Sequence, residues 1–166
     1  MKVIDNFLSS QEFNKLSNIV LSDYFPWYFN DNKTYKGDRY YQFTHRLYDG
    51  DEKGINSNFY SNFNLILHRL NVHNLGRLKL NLNHKTLFRR KFGWHTDEMV
   101  NKNFELTFRK TAIFYFNTNN GFTKIKGHGK IKSVANRMVI FDTNLLHTGF
   151  SCTDKKRRII MNCNFS

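Results

Sequence analysis

The sequence is short of proline, cysteine, acidic residues and long apolar runs, and each shortage excludes something. It holds one proline in 166 residues and shows no repeat or low-complexity tract, so no stretch reads as a linker and a single domain over 1–166 is expected. Its two cysteines, Cys152 and Cys163, are too few for a disulfide framework and match no metal-binding spacing. They are expected as reduced thiols of a cytoplasmic protein. No stretch approaches the ~18 uninterrupted apolar residues of a membrane span. The opening Met1-Lys2-Val3-Ile4-Asp5 lacks the long apolar run of a secretory signal. Acidic residues number 13 against 26 lysines and arginines, a net charge of +13. So basic a surface attracts polyanions over a Debye length, but it says little about chemistry.

Aromatics are what the chain has in plenty: 17 Phe, 8 Tyr and 2 Trp. They suit strands and the walls of pockets. Ser9 stands three residues before Glu12, the capping-box spacing, with Leu8 and Phe13 placed for a hydrophobic staple. Phe13, Leu16, Ile19 and Val20 continue at helical intervals. Residues 22–54 read as loops and short strands. A second helix is expected from about Asn56 to Asn74, stopped by Gly76. The period then changes to strict alternation in Leu78-Lys79-Leu80-Asn81-Leu82-Asn83, a half-buried strand with its leucines on one face. Asn81 and Asn83 are not proposed as ligands. Further strands are expected over Thr111–Phe116, Thr123–Ile125, Lys130–Val134, Met138–Phe141 and Arg158–Asn164. Helices first and short strands after indicate an α+β chain, the helices packed on a β-sandwich or jelly roll.

The chemistry concentrates in Gly93-Trp94-His95-Thr96-Asp97-Glu98. Alternate residues of an extended segment share a face, so His95 and Asp97 can grip one ion. The tripeptide alone is a weak signal in a chain with 7 histidines. Its context strengthens it, because His147 follows a strong strand, in Asn144-Leu145-Leu146-His147-Thr148-Gly149. Two histidines and one carboxylate make the facial triad of non-haem Fe(II) oxygenases, with positions left for a 2-oxo acid and dioxygen. Arg157-Arg158 opens the last strand, and a guanidinium there offers a fork for a carboxylate. The other reading of this pair, with Lys155 and Lys156, is a solvated basic loop. His45, His68, His73, His84 and His128 have no such spacing and read as surface or core residues.

From about Arg77 to Phe165 the chain resembles the prolyl-hydroxylase-like branch of the 2-oxoglutarate/Fe(II) oxygenases. It is similar to small members encoded by marine phages and bacteria. The matching pieces are His95-Thr96-Asp97, Ala112-Ile113-Phe114-Tyr115-Phe116-Asn117, Asn119-Asn120-Gly121 with Thr123, Met138-Val139-Ile140-Phe141, His147-Thr148-Gly149 and Arg158-Ile159-Ile160-Met161-Asn162. The resemblance implies a double-stranded β-helix (jelly roll) with N-terminal helices packed on one sheet, its metal-binding core at about 77–165. It implies Fe(II) on His95, Asp97 and His147. The distal carboxylate of 2-oxoglutarate falls to Arg158, supported by Tyr115, with Arg157 the substitute if the register slips by one. The implied reaction consumes O2 and 2-oxoglutarate, releases succinate and CO2, and hydroxylates a substrate. Trp94 and the phenylalanines would supply a dry wall.

The substrate is left open between a protein side chain and a small molecule. Nucleic acid suits the charge and the segment Phe88-Arg89-Arg90-Lys91. It is disfavoured because Asn164 stands where the nucleic-acid repair branch has a second arginine. Residues 22–54 and 98–110 are expected at the mouth. Two other classes stay open. One is a basic β-sandwich that binds nucleic acid without a metal, its charge on one face and its binding steeply salt-dependent. The other is a metal-binding jelly roll without oxygenase activity.

Overall fold

Alternation in the second half of the chain and one strong helix start near its beginning decide the architecture. The computed structural model describes residues 1–34, 37–50, 54–98 and 108–166. Helix α1, Ser10–Val20, begins as its capping box requires: the Ser9 hydroxyl accepts from the Glu12 amide and the Glu12 carboxylate accepts from the Ser9 amide. Leu16 and Val20 are buried beneath it, and Phe13 meets Phe114 edge-on.

The second helix departs from expectation. In place of Asn56–Asn74 there is a 3₁₀ turn, Tyr60–Phe63, running into a short α2, Asn64–Arg69. The stop is Asn71, not Gly76. Asn71 takes φ 53°, its amide bonds to His68 O and that of Val72 to Leu67 O, which together form a Schellman ending. Replacing Asn71 by alanine is expected to cost about 1 kcal/mol in urea unfolding, and by glycine only tenths, because the left-handed conformation penalises a Cβ. Gly76 lies inside a strand, where a Cβ would overlap the Phe108 ring.

Eleven strands are described. They are β1 Lys2–Ile4, β2 Tyr28–Asn30, β3 Gln42–Asp49, β4 Gly54–Ile55, β5 Leu75–His84, β6 Lys110–Tyr115, β7 Phe122–Ile125, β8 Gly129–Lys132, β9 Arg137–Asp142, β10 His147–Phe150 and β11 Arg157–Phe165. The larger sheet runs β1-β9-β6-β11-β5-β3-β2, with β4 paired to β3. The smaller runs β10-β7-β8, and antiparallel bridges Lys91–Phe150 and His95–His147 lay the segment 91–95 along its edge. Every pairing between the described strands is antiparallel, and the two sheets face each other as a jelly roll. The strand expectations hold to within two residues at most ends. The eight-residue β3 lies where loops and short strands were expected, and β10 had no counterpart in the sequence reading.

The larger sheet is covered on both faces, and period-2 alternation sorts its residues between them. Leu78, Leu80, Phe114, Ile159, Met161 and Cys163 point to α1 and α2, where they form the main core with Leu16, Val20, Phe63 and Ile66. Ile113, Tyr115, Val139, Phe141 and Ile160 point the other way, packing on Ile125 and Ile131 of the smaller sheet. Where that second core ends, a polar cavity begins. Both cysteines are buried and unpaired. Among the described residues no helix is long and apolar enough to cross a membrane.

Candidate metal centre

His95 and His147 face each other across an antiparallel bridge, each amide bonded to the other's carbonyl at 3.1 and 2.9 Å. Two residues on, the Asp97 amide bonds to Thr143 O, so the His95–Asp97 segment is pinned by main-chain contacts alone. Alternation then turns both side chains to the inside. The imidazole of His95, the carboxylate of Asp97 and the imidazole of His147 bring one ligand atom each to within 4.8 Å of one another.

The orientation of the rings is informative. Each histidine sets Nδ1 against the carbonyl two residues before it, His95 on Gly93 O at 3.2 Å and His147 on Leu145 O at 3.0 Å. With Nδ1 donating, Nε2 carries the lone pair. His147 Nε2 is buried without a hydrogen bond among the described residues and lies 3.5 Å from Asp97 Oδ2. A lone pair facing a carboxylate is repulsive unless a cation stands between them, and a set of two imidazoles and one carboxylate suits Fe(II). Burial, then the neighbouring His147, holds His95 below its ordinary pKa, so the ring is available as a neutral ligand. Burial alone would raise the Asp97 carboxyl, but Arg77, His147 and His95 outweigh it and keep it ionised.

Two donors hold the Asp97 carboxylate. Arg77 Nη2 donates to Asp97 Oδ1 and Thr111 Oγ1 to Asp97 Oδ2, both at 3.1 Å. Asn164 ties the two together, accepting from Arg77 Nε at 3.0 Å and donating to Thr111 at 2.9 Å. The residue that argued against a nucleic-acid substrate thus has a job at the metal end.

At the other end of the cavity stands Arg158, 1% exposed. Its Nε donates to Ser133 Oγ at 2.8 Å and its Nη2 to Thr123 Oγ1 at 3.1 Å. Nη1 makes no hydrogen bond among the described residues. Tyr115, also fully buried, donates to the same Thr123 hydroxyl at 2.8 Å, with the guanidinium carbon 5.6 Å from its ring centre. Arg157 points the opposite way and bonds to Leu21 O. One step along a strand separates the two arginines, and only the even-numbered one reaches the cavity. Trp94 does not wall the cavity: it is 38% exposed. Phe92, Ile113 and Ile160 supply the apolar lining instead, in a cavity of about 130 Å³ that opens to solvent.

The sequence reading missed the polar floor. Lys79, Asn81 and Asn83 of β5, Asn162 of β11, and Lys33, Thr34 and Gln42 all line the cavity. The expected mouth region 22–54 contributes the last three, while 99–107 lies outside the described residues. The signal was present in the alternation itself, but the non-leucine face of 78–83 was read as solvated. Asn81 and Asn83 are buried at 6% and 4% exposure. Burial, then Arg158, depresses the Lys33 ammonium, whose Nζ sits 3.2 Å from the Phe92 ring centre. Burial, then Arg77, brings Lys79 down to about 8. His45, His68, His73, His84 and His128 contribute nothing to the metal centre.

Comparison with known proteins agrees with this arrangement. No curated protein sequence matches the chain. Among solved structures, an oxidoreductase of the 2OG-Fe(II) oxygenase family from Burkholderia pseudomallei superposes with a TM-score of 0.70 at 10% identity, over 99% of this chain and 84% of that one. A viral collagen prolyl hydroxylase from Paramecium bursaria Chlorella virus-1, solved with 2-oxoglutarate, gives 0.64 at 14% identity over 98% and 93%. A prolyl hydroxylase from Trichoplax adhaerens gives 0.65 at 16% identity over 99% and 82%. These likenesses establish the fold. The sequence model described as the 2OG-Fe(II) oxygenase superfamily matches residues 80–166, more than half of the chain. The chain belongs to the 2-oxoglutarate/Fe(II) oxygenase superfamily and is a 2-oxoglutarate-dependent non-haem iron oxygenase.

Proposed function

We propose that His95, Asp97 and His147 are the iron ligands, that Arg158 binds the distal carboxylate of 2-oxoglutarate, and that the reaction is hydroxylation of a protein side chain or small molecule. The observation that carries this reading is the buried, unpartnered Nε2 of His147 facing the Asp97 carboxylate at 3.5 Å. Bound iron would supply dioxygen activation coupled to the loss of CO2 from 2-oxoglutarate, one oxygen atom entering a substrate C–H bond and the other the succinate. The chain's own part is placement. The Nδ1 bonds to Gly93 and Leu145 fix both imidazoles, and Arg77 with Thr111 fixes the carboxylate. Arg158 offers Nη1 to a carboxylate, while Ser133 and Thr123 hold the rest of its fork. Tyr115 supports the same end through Thr123. Ile113, Ile160 and Phe92 keep water from the reacting carbon.

Anaerobic titration with Fe(II) and 2-oxoglutarate tests this reading through the visible charge-transfer band of the chelate. The band is expected to need both components and to vanish in His95→Ala. In Arg158→Ala it is expected to require on the order of 10²-fold more 2-oxoglutarate, the loss of one charge-assisted fork. A folded wild-type protein without the band would sink the assignment.

A further inference from the structure

Lys79 lies between two ion pairs that are each already complete. On one side Arg77 pairs with Asp97 at 3.1 Å, and on the other Arg46 pairs with Asp49. Lys79 itself makes no hydrogen bond or ion pair among the described residues, and it lines the cavity. In register it stands between Arg46 of β3 and Asn162 of β11. One rung further along, Asn81 stands between Thr44 and Ile160. The side-chain oxygens of Asn81 and Asn162 are buried and have no hydrogen-bond partner among the described residues. The cavity floor beside the metal ligands therefore presents one unpaired ammonium flanked by two unpaired carboxamides. Buried polar groups left unsatisfied in this way mark a ligand that brings the missing partners.

The distal carboxylate of 2-oxoglutarate does not reach Lys79 or Asn162. On the reading above, one carboxylate of 2-oxoglutarate goes to Arg158 and the other to the metal. Arg158 is opposite Asn83, two rungs from the Lys79–Asn162 rung, which is about 13 Å along the strands. Arg77 is taken by Asp97. Lys79 and its two carboxamides remain for the molecule to be oxidised.

We propose that the primary substrate is a small carboxylate of the free amino-acid type, its carboxylate held by Lys79 and its N–H groups donated to Asn81 and Asn162. This deepens the oxygenase reading and rests on it. A carboxylate answers the ammonium, and a donor close to that carboxylate answers the flanking oxygens. A free α-amino acid carries both on one carbon. A glutamate or aspartate side chain of a peptide has its nearest N–H in the backbone, further from the floor. Binding also raises the Lys79 pKa, since the burial that depresses it is then offset by a counter-ion.

The test uses the anaerobic Fe(II)- and 2-oxoglutarate-loaded protein, with the standard free L-amino acids and the corresponding amino-acid amides as probes. At least one free amino acid is expected to shift the chelate band and to raise succinate formation in air. Its amide is expected to bind roughly tenfold more weakly or less. Lys79→Met is expected to lose the response, Lys79→Arg to keep part of it, and neither to change the 2-oxoglutarate needed to form the band. A second readout needs no ligand: Lys79→Met, lacking the uncompensated charge, is expected to melt at a higher temperature than the wild type. Equal binding of acid and amide, no response to any amino acid, or a weakened 2-oxoglutarate titration in Lys79→Met would overturn the proposal. So would a lower melting temperature, which would make Lys79 a structural residue. Absence of the band in the wild type is a failure of the oxygenase reading instead, and the melting comparison still decides the role of Lys79.

Discussion

Replacing Asp97 by asparagine is expected to abolish turnover and weaken Fe(II) binding on the order of 10³-fold while leaving the chain folded. The carboxylate is the only anion among the three proposed ligands, so its loss removes the charge that offsets a divalent ion. The isostere keeps the shape of the side chain but gives up the bond from Thr111, whose acceptor oxygen becomes an amide nitrogen. Its oxygen still accepts from Arg77, whose Nη2 lies 3.1 Å away, and its amide nitrogen lies where it can donate to His147 Nε2, now 3.5 Å from the carboxylate oxygen. The hydrogen bond thus fills the gap in which a cation would sit. Arg77 loses its counter-ion, but its side chain is 25% exposed, so water screens it and the stability loss is about 1–2 kcal/mol. Competition for Fe(II) against a chromophoric chelator, with urea unfolding of the metal-free protein, measures both quantities. Iron retained at wild-type affinity would falsify the ligand assignment.

Gly121→Ala is expected to damage the opposite end of the cavity. Gly121 follows Asn119-Asn120 and leads into β7. A Cβ built there lies 2.8 Å from Arg158 Cδ, 2.8 Å from Asn119 Oδ1 and 2.9 Å from the Phe150 carbonyl. Two of these neighbours cannot yield easily. The Phe150 carbonyl is backbone of the paired strand β10, and Asn119 Oδ1 accepts the Gly121 amide at 3.0 Å. Arg158 must therefore move, and its bonds to Ser133 and Thr123 move with it. The expected result is a stability loss of about 1–3 kcal/mol and a KM for 2-oxoglutarate raised on the order of 10²-fold, with Fe(II) affinity unchanged. Urea unfolding and steady-state kinetics with varied 2-oxoglutarate check it. An unchanged KM would show that Arg158 does not set cosubstrate affinity.

Much of the molecule was legible before any coordinates. The capping box at Ser9 and Glu12 starts α1 because the partners lie three residues apart and need nothing from the rest of the chain. Strands β5, β6, β9 and β11 declare themselves by alternation, a consequence of backbone geometry alone. His95 and Asp97 share a face for the same reason, and even the choice between Arg157 and Arg158 is a matter of odd and even positions. Signals that depend on contacts remote in sequence could not be read. The helix stop at Asn71 rather than Gly76 turned on which residue took the left-handed conformation, and Gly76 is required by the Phe108 ring lying over β5. The polar face of 78–83 resembles a solvated face, because a sequence carries no sign of a second sheet covering it.

The sequence by itself determined the start of α1, the alternating strands, the pairing of His95 with Asp97 on one side, and the family to which the chain belongs. Each is a property of residues a few positions apart or of an ordered motif. Only the tertiary structure decided that His147 comes within reach of Asp97, that Arg77, Thr111 and Asn164 hold that carboxylate, and that Lys79 is left unpaired among buried asparagines. Such facts depend on register between strands distant in the chain, where hydrogen bonding and burial select one alignment out of many.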